Sequence, residues 1–279
     1  MEKKTSAQLK QEARLALKGN YGFCAGCLGV MAIAILAFSV LANVTLAAAL
    51  TFMGLSYGYF GGAVSYDSAS AAIQRMGVSI FAYALFAMAI SIVVSVLLMG
   101  YVRACFRICR GERGDIKDLF FPFGKHIGKF IGLAGMFQII PFLFGLVAGF
   151  SQAVSMVTGD VSWFLMAFST IIWFVEIVAI FFMSLNYGMV AFIFIEDPET
   201  PFLQALAESR RIMKGNRLRV IWLGLTFLGM IFLAYASCGI GFLWVTPYMV
   251  CTSIYFYFDI TNAREVDRKE QEDWNRGYF

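Results

Sequence analysis

Two stretches of this chain run without a charged side chain for longer than a bilayer is thick, Tyr21 to Tyr66 and Val78 to Tyr101. Crossing roughly 30 Å of hydrocarbon takes about 20 largely apolar residues in a helix, because hydrocarbon offers backbone N–H and C=O groups no other partner. Of the 279 residues, 60% are hydrophobic and 14% charged, against about 45–50% and about a quarter in soluble domains. One globular core cannot hold that excess, so lipid solvates it. A β-barrel would show ten-residue segments of alternating character instead. The expected fold is therefore all-α: a polytopic membrane helical bundle forming a single membrane domain over 1–279.

Six transmembrane helices are expected, at about 22–46, 78–102, 127–150, 163–194, 218–238 and 242–262. Of the 22 Lys and Arg, 21 fall in four segments: before the first span, between the second and third, between the fourth and fifth, and in the tail 263–279. Only Arg75 lies elsewhere. The positive-inside rule makes those four segments cytoplasmic and predicts a plasma-membrane protein with both termini inside. The net charge of +4 is thus spread over membrane-flanking segments. That pattern suits anionic lipid headgroups and gives no reason to expect nucleic acid. No secretory leader is expected, since the first apolar run follows a charged segment and is long enough to span uncleaved. The six Cys show no framework spacing and are expected as free thiols.

Local breaks are legible too. Tyr57 to Gln74 and Val157 to Ser162 are expected as external connections, the second a short turn. Cys238-Gly239-Ile240-Gly241 separates the last two spans with almost no loop, and Pro247 follows in the first turns of the sixth. Trp163 to Ile195 is 33 residues, roughly 50 Å as one helix, so it must tilt, project or bend, with Asn186-Tyr187-Gly188 a suitable place.

Glu12-Ala13-Arg14-Leu15-Ala16-Leu17-Lys18-Gly19-Asn20 aligns with Glu208-Ser209-Arg210-Arg211-Ile212-Met213-Lys214-Gly215-Asn216, and each leads into an outward-going span. In the second copy Phe202, Leu206, Ser209 and Met213 share one face. Both segments, 6–20 and 200–215, are expected as cytoplasmic interfacial amphipathic helices stopped by Lys-Gly-Asn. Asp115 to Lys129, with Phe120, Phe121 and Phe123, is a weaker third copy. The architecture then reads as three units, each an interfacial helix plus a two-span hairpin; chance likeness between basic amphipathic segments is the competing reading.

Asp197-Pro198-Glu199, Ala205-Leu206, Ser209 and Met213-Lys214-Gly215-Asn216, with Gly239 to Tyr248 and Phe256-Tyr257-Phe258-Asp259, resemble the C-terminal signature of the membrane family known as domain of unknown function 975. Ala13-Arg14, Leu17 to Asn20 and Arg110-Gly111-Glu112 are similar to it as well, so the resemblance covers most of the chain. It implies a six-span plasma-membrane protein, mostly from Gram-positive bacteria, and no established activity. Members often carry Pro-Gly in span four; Ile177 to Met183 has neither residue.

Among candidate site residues, Glu176 is a carboxylate well inside an apolar run, and an intramembrane ionisable group is a functional candidate by default. At mid-depth it would be protonated or paired, with Gln138 as one partner; near the outer surface it merely snorkels. Asn43, Gln138 and Asn186 are single amides that more often serve packing. Cys24, Cys27, Cys105 and Cys109 would hold zinc only if spans one and two are neighbours, and thiols in apolar helices usually act as small apolar residues. Gly22/Gly26, Gly128/Gly132 and Gly145/Gly149 are spaced for close helix contact. His126 is the one histidine, which excludes a His-based triad or zinc-protease motif; no cofactor and no enzymatic chemistry are expected. Arg210, Arg211, Lys214, Arg217 and Arg219 are the first candidates for anionic-lipid contact. The leading expectation is a non-enzymatic, transporter-like or accessory envelope component engaging lipid. Alternatives are an ion- or proton-coupled transporter using Glu176, a lipid-processing enzyme and a partner-binding structural protein; the sequence names no protein partner.

Overall fold

The computed structural model describes the backbone of residues 4–60, 66–158 and 163–275, and the side chains of 4–41, 43–44, 81, 84–149, 163–164 and 166–262. Within these the chain is helical, with no strand: α1 (Ser6–Leu17), α2 (Tyr21–Phe60), α3 (Tyr66–Cys109), a 3-10 helix (Ile116–Phe123), α4 (Ile127–Thr158), α5 (Trp163–Tyr187), α6 (Val190–Glu196), α7 (Phe202–Met213), α8 (Arg217–Leu225), α9 (Leu228–Ala236) and α10 (Phe242–Asn275). Arg75 and parts of the expected external connections lie outside the described side chains, and 61–65 and 159–162 outside the described backbone.

Five stretches among the described residues are long and apolar enough to cross a membrane: Tyr21–Leu41, Ala84–Cys109, Ile127–Gly149, Met166–Glu196 and Arg217–Ala236. Their apolar side chains face outward, with Trp173, Phe174 and Phe232 all more than 60% exposed. Such surfaces belong against lipid rather than water. The stretch expected as a sixth span opens α10 and is not among the five. Its polar residues, Thr246, Thr252, Ser253 and Asp259, explain why, and its surroundings accommodate them. Val245, Tyr248, Cys251, Thr252, Ile254, Phe256, Tyr257 and Ile260 are buried in protein. A helix enclosed by its own chain tolerates Thr252 and Asp259 where a lipid-facing one would not.

The chain divides into two compact units. One comprises residues 32–95 and 131–183, which hold the later parts of α2 and α4 and the earlier parts of α3 and α5. Inside it Gln138 donates to Ser95 Oγ at 3.4 Å and Phe81 meets Phe142 edge-on. The other comprises 1–31, 96–130 and 184–279, and so contains all four basic segments. Here α1 packs along α10, α6 on α7, and α9 on α10.

The Lys-Gly-Asn stops form as the repeat suggests, and the two copies are superimposable in conformation. Lys18 has φ −62°, ψ 115° and Lys214 φ −64°, ψ 116°. Gly19 follows at φ 91° and Gly215 at φ 87°. Asn20 N–H donates to the Leu17 carbonyl at 2.9 Å, and Asn216 N–H to that of Met213 at 3.0 Å. These are type II turns, whose third residue needs the left-handed backbone that glycine adopts freely. Each Asn side chain then donates to the carbonyl four residues back, Ala16 or Ile212. The Asn carbonyls accept the first bonds of α2 and α8.

Two later breaks lie where expected, whereas the external connections are shorter than expected, with α2 running on to Phe60, α3 starting at Tyr66 and α4 reaching Thr158. The long fourth run splits between Tyr187 and Val190, beside Gly188 rather than at the departure noted for the family, and Cys238 (φ 54°) with Gly239 (φ 87°) separates α9 from α10. The fifth span is itself broken at Thr226–Phe227.

Three expectations differ. The amphipathic helices turn their apolar faces to protein: α1 buries Leu9, Ala13 and Leu17, and α7 buries Ala205, Ser209, Ile212 and Met213. The third copy is a 3-10 helix containing Pro122 and ending at Gly124 with φ −78°, so it shares neither helix type nor stop with the other two. Four of the six paired glycines are not contact points either. A Cβ on Gly22, Gly26, Gly128 or Gly145 would meet nothing within 4 Å. Close approach occurs at Gly100, where the Leu119 backbone fills the Cβ position, and at Gly241, 2.7 Å from Ala234 Cα.

Candidate functional site

The basic residues of the packed unit fall into two classes, those held by internal partners and those left exposed. Arg219 on α8 is held: Nη2 donates to Asp259 Oδ2 at 2.7 Å and to the Lys4 carbonyl at 2.8 Å, and the guanidinium lies over Phe256. Asp259 also accepts from the Lys4 backbone N–H at 3.2 Å. This pair therefore ties the start of α1 to α8 and α10. Arg217 donates to Asn186 Oδ1 at 2.6 Å, and the Asn186 carbonyl accepts from Ser209 at 2.9 Å. Arg211 pairs with Glu208 of its own helix at 2.9 Å.

Arg210 and Lys214 are exposed, and so is Lys18 at the equivalent turn. Among the described residues none of the three is in an ion pair, while Glu12 and Glu208 are taken by Lys4 and Arg211. Arg14, the counterpart of Arg210, donates to Tyr248 Oη at 3.1 Å and meets no carboxylate there. Lys10 lies 4.2 Å from the Phe227 ring centre and donates to the Thr226 carbonyl at 3.0 Å. Burial, and then the charge of Arg14, lowers its pKa below the ordinary lysine value.

A second cluster is internally neutralised. Arg103, Arg107 and Arg110 descend one side of α3; Arg107 meets Glu112 at 2.8 Å and Asp118 at 3.0 Å, Arg103 meets Asp118 at 3.6 Å, and Arg110 meets Glu196. Glu196 also accepts from Tyr257 Oη at 2.7 Å. Lys129 donates to the carbonyls of Pro198 and Thr200, binding α4 to the α6–α7 connection. There Asp197 accepts from the Thr200 hydroxyl at 2.6 Å and the Glu199 N–H at 3.0 Å. Those bonds, the hydroxyl's first, hold its pKa below the ordinary aspartate value.

Glu176 lies half-buried on α5, and no hydrogen bond or ion pair engages it among the described residues. Gln138, its suggested partner, bonds Ser95 instead. Asn43 donates to the Ser39 carbonyl of its own helix. Cys24, Cys27 and Cys105 are buried free thiols, and Cys109 is a half-buried one. Cys24 and Cys105 lie side by side, so α2 and α3 are neighbours, and Cys251 of α10 adjoins Cys105. Among the described residues no group of three or more His, Cys, Asp or Glu could hold a metal ion. His126 faces Glu199 at 3.3 Å.

Sequence reasoning passed over Asp259 and Glu196, which organise these contacts. Asp259 sits inside the expected sixth span, so the rule that singled out Glu176 applies equally to it. Nothing local marked Glu196.

These features define an all-helical membrane protein whose basic segments gather in one packed body. The chain belongs to the family described as protein of unknown function DUF975, whose model matches residues 1–264. No curated protein and no solved structure matches it.

Proposed function

We propose that this chain is a six-span plasma-membrane protein with both termini in the cytoplasm, acting without catalysis as a transporter-like or accessory envelope component that engages anionic lipid headgroups. One observation carries the reading. Lys18, Arg210 and Lys214 stand exposed without a carboxylate partner among the described residues, each at or one turn before a turn from which an apolar span departs. Cations at that level lie among lipid phosphates, where each is worth about 1 kcal/mol of attraction to an anionic surface. α10, enclosed by protein, serves as the sixth span, and the gathering of all four basic segments in one unit supports a common cytoplasmic side. Among the described residues no hydrogen bond or ion pair engages Glu176, Gln138 bonds Ser95 instead, and the one histidine is engaged with Glu199.

The test is lipid selectivity measured by electron spin resonance with spin-labelled phosphatidylglycerol and phosphatidylcholine. The wild-type chain is expected to prefer the anionic lipid, and the combined replacement of Arg210, Arg211 and Lys214 by Gln to weaken that preference while the helices stay folded. Unchanged selectivity in the folded variant contradicts the proposal.

A further inference from the structure

Where the first turn of α1 meets α8, the packed unit has a groove of about 400 Å³ with a polar end and an apolar flank. Lys4, Thr5, Ser6 and Arg219 supply the polar end, and Leu218, Trp222 and Phe256 the flank. Its size falls within the roughly 300–1,000 Å³ of pockets that enclose small molecules. From this groove we infer a discrete binding site for one anionic glycerophospholipid, headgroup on Arg219 and Lys4 and acyl chains along Leu218 and Trp222. The inference deepens the proposed lipid reading and rests on it for the depth of the groove in the membrane.

Three features of the groove match that ligand. The first is a preset cation. Asp259, its side chain 7% exposed, holds Arg219 from behind through Nη2, while Asn216 Oδ1 approaches Nη1 at 3.5 Å. The guanidinium has five N–H donors in a fixed plane; Asp259 and Lys4 take both hydrogens of Nη2, and Nε–H and the second hydrogen of Nη1 remain as single donors for phosphate oxygens. Its orientation is set before ligand arrives, which spares the ordering cost of a flexible side chain. The second feature is the flank. Leu218 is 79% and Trp222 64% exposed, on the opening turns of an apolar span. Trp at that level is the usual marker of the boundary between headgroups and acyl chains. The third is the neighbouring polar rim: Lys4, although paired with Glu12, keeps its side chain 45% exposed, and Ser6 lines the same end. A free phosphate would use the polar end alone and leave the flank bare; an apolar molecule would leave Arg219 facing hydrocarbon. An anionic lipid satisfies both.

The groove is separate from the exposed cations of α7, which allows the two readings to be tested independently. Purified full-length chain is incubated with phosphatidylglycerol or phosphatidylcholine and examined by native mass spectrometry at rising activation energy. One phosphatidylglycerol per chain is expected to survive after the remaining lipids have left, and phosphatidylcholine is expected not to. Leu218→Glu places a carboxylate on the exposed flank without touching the packed face, and is expected to lower the retained fraction at least tenfold. Trp222→Ala, equally exposed, is expected to lower it severalfold, and circular dichroism melting confirms that both variants fold. Combined replacement of Arg210, Arg211 and Lys214 by Gln is expected to leave this last lipid in place even as bulk selectivity falls. Millimolar glycerol phosphate is expected not to displace it. Full retention in folded Leu218→Glu overturns the inference, as does equal retention of phosphatidylcholine or displacement by glycerol phosphate. Loss of the last lipid in the α7 variant overturns the separate site and leaves the broader lipid reading standing.

Discussion

Gly215→Ala isolates the backbone geometry of the Lys-Gly-Asn stop. The residue sits at φ 87°, and a Cβ built there meets nothing within 4 Å, so the cost is one of conformation and not of collision. An L-residue in the left-handed region costs about 1–2 kcal/mol. Alanine returns part of that, about 0.4–1 kcal/mol, by restricting the unfolded chain. The net loss is about 1 kcal/mol, and a chain of this size turns that into a fall in melting temperature of about 2 °C. Gly22 is the internal control. It lies in α2 without positive φ and with the same open space around its Cβ, so Gly22→Ala should stabilise by about 0.5–1 kcal/mol through helix propensity. Gly215→Asn should recover most of the loss, since Asn visits the left-handed region more readily than other side chains. The assay is thermal unfolding in one detergent, read as a rank order: Gly22→Ala above wild type, then Gly215→Asn, then Gly215→Ala. Gly19→Ala, at φ 91°, should match Gly215→Ala if the two copies are physically equivalent. Gly215→Ala melting with the wild type, or Gly215→Asn as low as Gly215→Ala, refutes the conformational argument.

Asp259→Ala strips Arg219 of its carboxylate; breaking a buried pair costs about 3–5 kcal/mol, and the 26% exposure of Arg219 puts this case at the low end. Hydrogen exchange should show α1 losing protection first, because the same carboxylate holds the Lys4 N–H. Gly100→Ala drives a Cβ into the Leu119 backbone, so folded yield should collapse, whereas Gly128→Ala, in open space, should express normally. The Asp197 carboxylate, held by Thr200 and the Glu199 N–H, should titrate below the ordinary 3.8 in carboxyl-detected spectroscopy. Because its folded pKa is depressed, its contribution is present above the unfolded value and is lost as acid carries the pH down through the folded one; proteolytic cutting of 197–201 should rise in that window, and Asp197→Asn should remove the dependence. Glu176→Gln should leave melting unchanged, and a large shift would reveal a partner for that carboxylate.

What could be read from sequence was local. Glycine after Lys18 and Lys214 marks a stop because the turn needs its conformation, and that need travels with the residue. The break beside Gly188 and the one at Cys238–Gly239 were legible for the same reason, as excess length or absent loop in an apolar run. What failed depended on distant neighbours. A 3.6-residue apolar stripe shows that a helix has a face to bury, but nothing in Leu9, Ala13 and Leu17 says that α10 rather than lipid covers it. Glycines four apart permit close approach without supplying a partner, and the partner came instead to Gly100. Phe120, Phe121 and Phe123 are apolar but not helically spaced, and Pro122 favours the tighter turn found there. Arg219 and Asp259 lie 40 residues apart, so their pairing is a property of the folded unit.

The proposed topology places the gathered basic segments together on the cytoplasmic face of the membrane. Cys238 is an exposed thiol at the far end of the α8–α9 span from Lys214. Labelling intact cells with a membrane-impermeant maleimide should modify native Cys238. With Cys238→Ala in the background, Lys18→Cys, Lys117→Cys and Lys214→Cys should each be modified only after the membrane is opened. Modification of any one of those three in intact cells, while another stays protected, would contradict the account.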